Sequence, residues 1–127
     1  MKNEDVAPGR FKDLALDAVD HQALADWWCA ALGYERSAMA DGSERPQHWP
    51  VPIVDRTGNG PLIWINPVLE PKTTKNRMHL DVWGSPDRLV AMGAAQVRAP
   101  DQEIDWYVMI DPEGNEFCVF ADPKEMA

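Results

Sequence analysis

One order of elements runs twice along this chain, and the repetition restricts its folds more than any other feature. In residues 11–19 (FKDLALDAV), Leu14, Leu16 and Ala18 fall on one side and Asp13, Ala15 and Asp17 on the other, the alternation of a strand with one apolar face. Asp20 then stands as an N-cap. Leu24, Trp27, Trp28, Ala31 and Leu32 recur at the spacing of a single helix face, and Gly33 is placed to end that helix. Three strands are expected to follow: 34–39, an irregular, proline-interrupted run through Trp49, Val51 and Ile53, and LIWIN at 62–66 behind the turn at 57–61. The second half repeats the order. RMHLDVW at 77–83 sets Met78, Leu80 and Val82 against Arg77, His79 and Asp81. Ser85-Pro86 opens a helix with Leu89 and Met92 on its buried side, Gly93 closes it, and strands are expected at 95–99, 107–110 and 116–120, the last after a turn at 111–115.

Each strand-helix-three-strand unit alone would leave a sheet face bare. The fold class read from this is α+β: two βαβββ modules, their sheets meeting edge to edge in an incomplete, barrel-like curve with the helices outside. The 127 residues, 45% hydrophobic and 26% charged, are enough for one core and one domain. Residues 1–10 are read as a loosely held arm and 11–122 as a single domain, made of module 11–66, connector 67–76 and module 77–122. Residues 123–127 are read as a tail. Cys29 and Cys118 have no metal-type spacing and are read as core cysteines of a reducing compartment. With no apolar stretch long enough to span a bilayer and no basic-then-apolar leader, the expected location is the cytoplasm. Twelve Lys and Arg against twenty-one Asp and Glu give a net charge of −9, which repels nucleic-acid backbones and anionic membranes and leaves a small molecule as the expected partner. Six tryptophans suit a core or the wall of a cavity for a flat organic molecule.

Strand alternation singles out the residues that could carry chemistry. His79 lies on the polar side of its strand, and Glu116 shares a side with Cys118 and Phe120, opposite Phe117 and Val119. An imidazole and a carboxylate are thereby expected to face one cavity. Overlaying the modules sets Asp13 opposite His79 and Leu62 opposite Glu116, so three of four equivalent inner positions are polar. Leu62, Trp64, Cys118 and Phe120 are expected on the cavity wall and Arg77 beside it, favouring an apolar or aromatic ligand over a sugar phosphate. Trp27 and Trp28 are read as core, His21 as solvated in the first helical turn, and His48 as a residue of the cavity mouth. Cys118 is read as inert. The purely structural alternatives are a hydrogen-bonded His79 and a Glu116 that pairs with Arg77 or caps the preceding turn.

DLALDAVDHQALADWWCAALGYE in the first module, with EPKTTKNRMHLDV and IDPEGNEFCVF in the second, resembles the vicinal oxygen chelate superfamily. That superfamily contains glyoxalase I, the bleomycin- and fosfomycin-resistance proteins and the extradiol dioxygenases; the resemblance is nearest to its glyoxalase-like domains and covers about residues 11 to 122. It implies paired βαβββ modules, a homodimer, and in many members a divalent metal at inner positions. Carried over, it makes His79 and Glu116 ligands, puts Asp13 where metal-dependent members have His or Gln, and puts Leu62 where glyoxalase I has Glu. A three-residue Asp13, His79, Glu116 site would suit Fe(II), Mn(II), Zn(II) or Ni(II), whereas the four-ligand glyoxalase I site is lost at Leu62. Two functions follow as expectations. One is a lyase or isomerase step in which His79 and Glu116 act with a metal or as an acid-base pair. The other is bleomycin-resistance-like sequestration of a drug or metabolite without catalysis.

Overall fold

The computed structural model describes residues 7–121 and contains the doubled unit. The first module runs β1 (Leu14–Ala18), α1 (His21–Leu32), β2 (Tyr34–Arg36), β3 (Val51–Asp55) and β4 (Ile63–Pro67). The second runs β5 (Leu80–Trp83), α2 (Pro86–Ala91), β6 (Ala95–Arg98), β7 (Tyr107–Ile110) and β8 (Glu116–Phe120). Each forms a four-stranded mixed sheet, ordered β1-β4-β3-β2 and β5-β8-β7-β6, with β1 parallel to β4 and β5 parallel to β8. The expected α+β architecture of paired βαβββ modules is therefore present. Residues 1–6 of the expected arm and the expected tail lie outside the described residues.

The strands are shorter at their ends than alternation predicted. The first begins at Leu14 rather than residue 11, the strand after α1 stops at Arg36 rather than 39, and β5 begins at Leu80, leaving Arg77, Met78 and His79 as the approach to it. Alternation marks which side a residue takes but not how far a ladder partner extends, and the parallel ladders start only at Leu14–Ile63 and Leu80–Phe117. The sheets also remain two. β1 and β5 are edge strands of their own sheets, and the space between them is an apolar groove of about 450 Å³ edged by Phe11, Leu14, Met78 and Leu80.

The start of α1 is held from both modules. The Asp20 side chain accepts the Ala23 N–H at 3.2 Å, and the carboxylate of Glu113, in the turn before β8, accepts the N–H groups of Val19 and Asp20, both at 2.9 Å. Its end is closed by Gly33 at φ 72°, a left-handed backbone suited to glycine. The buried face of α1 carries Leu24, Ala25 and Trp28. Trp28 crosses to the second module: its ring meets Phe117 of β8 edge-on at 5.0 Å, and its indole N–H donates to Asp111 at 3.0 Å. His21, expected to be solvated, is instead 9% exposed, with its Nε2 2.9 Å from the Trp49 carbonyl, because the loop before β3 folds back over the first helical turn.

A single turn design ends β3 and β7. Asp55 accepts the Thr57 and Gly60 N–H groups and Asp111 those of Glu113 and Asn115, with Gly58 and Gly114 at φ 77° and 86°. The spacing D-x-x-G-N at 55–59 and 111–115 is thus a second signature of the duplication. Among the described residues no helix is long and apolar enough to cross a membrane.

Candidate functional site

The inner face of the second sheet carries the odd residues of β5 and the even residues of β8. In β5, Val82 is buried on the helix side while Asp81 and Trp83 are exposed on the other. Asp81 lies directly opposite Cys118 in the parallel ladder, and Trp83 opposite Phe120. β7 pairs Val108 with Cys118 and Ile110 with Glu116, so the inner face continues through Val108 to Trp106. The result is a cleft of about 350 Å³ over the second sheet, with Trp106, Phe120 and Cys118 among its walls and His79 and Glu116 among its polar lining. The Trp106 and Phe120 rings lie 5.6 Å apart at 30°, a tilted pair that presents apolar surface to the cleft.

The register of the two parallel ladders equates positions across the modules. Leu14 faces Ile63 and Leu80 faces Phe117, so one residue earlier Asp13 corresponds to His79 and Leu62 to Glu116. These four positions do not share one environment. Glu116 is largely enclosed: Oε2 accepts from Lys72 Nζ at 2.8 Å and Oε1 from the Asn76 backbone N–H at 2.7 Å, the Lys72 and Glu116 side chains being 16% and 15% exposed. Burial pushes its carboxyl pKa up, but the bonds from Lys72 and Asn76 outweigh burial and hold it below the ordinary value. Neither Arg77 nor the preceding turn is its partner. Asp13 Oδ2 accepts from Lys12 at 2.6 Å and from the Trp64 indole at 3.1 Å, and Lys12 first and Trp64 with it lower its carboxyl pKa against a smaller opposing effect of desolvation. His79 is 34% exposed at its side chain, lines both the second-sheet cleft and the groove between β1 and β5, and has Nδ1 3.4 Å from Asp81 Oδ1.

Of the five residues expected to contact a ligand, Cys118 and Phe120 line the second-sheet cleft. Leu62 and Trp64 belong to the first sheet, where the Arg45 guanidinium stands 6.0 Å from the Trp64 ring, and Arg77 is exposed ahead of β5 and lines neither cleft. Leu62 and Trp64 therefore lie off the second-sheet cleft, whereas the groove between β1 and β5 draws Asp13 from one module and His79 from the other. Burial, followed by the Asp81 charge, pushes the Cys118 thiol pKa up against the pull of Lys75 and Trp106, which keeps it a poor nucleophile. Sequence reasoning missed Lys72, Lys75 and Asn76 in the connector, and Trp106, Ile104 and Arg98 in and around the loop between β6 and β7. Extending the alternation of β7 backward from Val108 would have found Trp106. Asp101 organises that loop, accepting from Arg98 and from the Glu103 and Ile104 N–H groups. Arg98 first and the Glu103 N–H next hold its carboxyl pKa at about 2.

A divalent ion at Asp13, His79 and Glu116 does not fit this arrangement. Both carboxylates are committed to lysines within the protein, Leu62 offers no donor atom, and the three ligand groups do not gather within 4.8 Å. The one set of His, Cys, Asp or Glu that does so among the described residues is His79, Asp81 and Cys118.

The model of a glyoxalase-like domain matches residues 13–120. No curated protein sequence matches the chain. Among solved structures it is similar to TioX from Micromonospora sp. ML1, with 19% identity over 89% of this chain and 98% of that one and a TM-score of 0.58. A glyoxalase/bleomycin resistance protein/dioxygenase family enzyme from Burkholderia phytofirmans is 20% identical over 84% and 93%, with a TM-score of 0.59. The fosfomycin resistance protein FosX from Listeria monocytogenes, complexed with Mn(II) and sulfate, is 13% identical over 94% of both chains, with a TM-score of 0.62. At these identities the likeness is one of fold, and the family match over nearly the whole chain adds the lineage: the protein belongs to the glyoxalase-like domain family of the vicinal oxygen chelate superfamily.

Proposed function

We propose that this protein captures a small, flat, apolar or aromatic organic molecule against the inner face of its second sheet, as a homodimer, without glyoxalase I chemistry. One observation carries the reading: the Glu116 carboxylate is satisfied inside the protein by Lys72 and Asn76, while Trp106 and Phe120 offer an aromatic wall beside it. A carboxylate already bonded on both oxygens is a poor base and a poor ligand, whereas a concave aromatic wall with a few fixed polar groups binds flat molecules well. A fused-ring ligand covering Trp106 and Phe120 gains roughly 25 cal/mol for each Å² of apolar surface removed from water.

Calorimetric titration with 2-naphthol in the presence of a chelator tests this. Binding is expected in wild type, weaker by about tenfold or more in W106A, as fits loss of an aromatic anchor, and unchanged in D13N. Binding that requires added metal, or that fails in D13N while surviving in W106A, contradicts the reading. A catalytic variant of the same site is favoured by His79, which lines the cleft beside Glu116 and, among the described residues, makes no hydrogen bond. There, His79 would move the proton and Lys72-paired Glu116 would supply fixed charge. Turnover abolished by H79Q with ligand affinity intact is the sign of that variant.

A further inference from the structure

We propose that His79, Asp81 and Cys118 form a Zn(II) site at the edge of the second-sheet cleft, separate from the Asp13, His79, Glu116 set. Their ligand atoms all lie within 4.8 Å of one another. The strands produce this directly. His79 and Asp81 are two residues apart and share the inner side, and Cys118 is the cross-strand partner of Asp81. In a tetrahedral zinc site with bonds of about 2.0 to 2.3 Å, ligand atoms are separated by about 3.3 to 3.8 Å. The His79 Nδ1 to Asp81 Oδ1 separation of 3.4 Å is already such an edge. As a hydrogen bond that distance is long, and as an exposed ion pair it contributes little. The remaining adjustment falls on Asp81, whose side chain is 60% exposed.

The donor set selects the metal. A thiolate, an imidazole and one carboxylate suit Zn(II), while the harder Mn(II) and Mg(II) prefer oxygen ligands. On coordination the Cys118 thiol gives its proton to solvent and the ion keeps its oxidation state, so no further reactant is needed. Three protein ligands leave a tetrahedral ion one position for water. A net charge of −9 raises the local concentration of cations around the chain. The site shares His79 and Cys118 with the cleft of the ligand-capture reading, but it uses neither Trp106 nor Phe120 and is assayed on the protein alone, so failure of one is distinguishable from failure of the other.

The test is titration of the chelator-free protein with Co(II), read by absorption, and with Zn(II), read by calorimetry. Wild type is expected to bind a single ion per chain with a thiolate-to-Co(II) charge-transfer band. That band is expected to persist in C29S and E116Q and to vanish in C118S, whose fold is checked by near-ultraviolet circular dichroism. D81N removes an exposed carboxylate with no threat to folding and is expected to weaken Zn(II) by about tenfold or more, since even supporting groups around a metal are worth that much. Absence of the band in wild type, its survival in C118S, or Zn(II) affinity that falls in E116Q but not in D81N overturns the proposal.

Discussion

At the scale of single residues, the Lys72–Glu116 pair sets the chemistry of the cleft. Its two side chains are 16% and 15% exposed, so each is costly to bury without the other. K72M is expected to destabilise the fold by about 1 to 3 kcal/mol in thermal or urea unfolding, less than a fully enclosed pair because some water still reaches it. The sign of the pH effect follows from the depressed Glu116 pKa. The unfolded chain takes up this proton more readily than the folded one, so the stabilisation is full above the unfolded carboxylate value and disappears as pH falls through the folded value. Wild-type melting temperature is expected to drop faster than that of E116Q between about pH 5 and pH 3, and parallel curves would show that Glu116 is not held by Lys72. Lys72 was not legible in the sequence for a physical reason. Alternation reports which side of a strand a residue takes, whereas Lys72 reaches Glu116 from a proline-flanked connector that has no period. Trp106 differs, since it lies one residue before the assigned strand and two before Val108, so the period of β7 carried backward reaches it.

Among the elements, α1 ties the modules together. Its first turn is capped by Asp20 and clamped by Glu113 of the second module, and Trp28 on its buried face reaches Phe117 and Asp111. E113A frees two N–H groups at the start of the helix and is expected to cost about 1 to 2 kcal/mol in urea unfolding. An unchanged midpoint would mean that the clamp contributes nothing in solution. This part of the fold was readable in advance because local rules and tertiary packing agree at it: Asp20, the Leu24–Trp28 spacing and Gly33 each point to one helix with one buried face. The loop from 37 to 50 was not readable to the same degree. Its prolines and single Trp49 carry no period, and the burial of His21 beneath it is decided by a backbone carbonyl that no side-chain pattern records.

For the whole molecule, duplication places two inner faces side by side and then makes them unequal. The first presents Asp13 bonded to Trp64 and Lys12, the second a cleft with Trp106, Phe120, Cys118 and His79. The equivalence of Asp13 with His79 and of Leu62 with Glu116 could be read from element order alone, whereas the commitment of both carboxylates to lysines required side-chain positions. The groove between β1 and β5, with Phe11 70% and Met78 83% exposed, leaves apolar surface that a second copy would cover. Sedimentation equilibrium is expected to give twice the mass of the chain, falling toward the monomer in M78E. A monomer at every concentration would remove the homodimer from the account. Which inner face takes the ligand is read out by titrating isotope-labelled protein with 2-naphthol and following its amide and indole NMR shifts. The largest changes are expected on Cys118, Phe120 and the Trp106 indole, with Trp64 and its neighbour Asp13 still; shifts concentrated at Trp64 and Asp13, with Trp106 unmoved, would put the ligand on the first sheet instead.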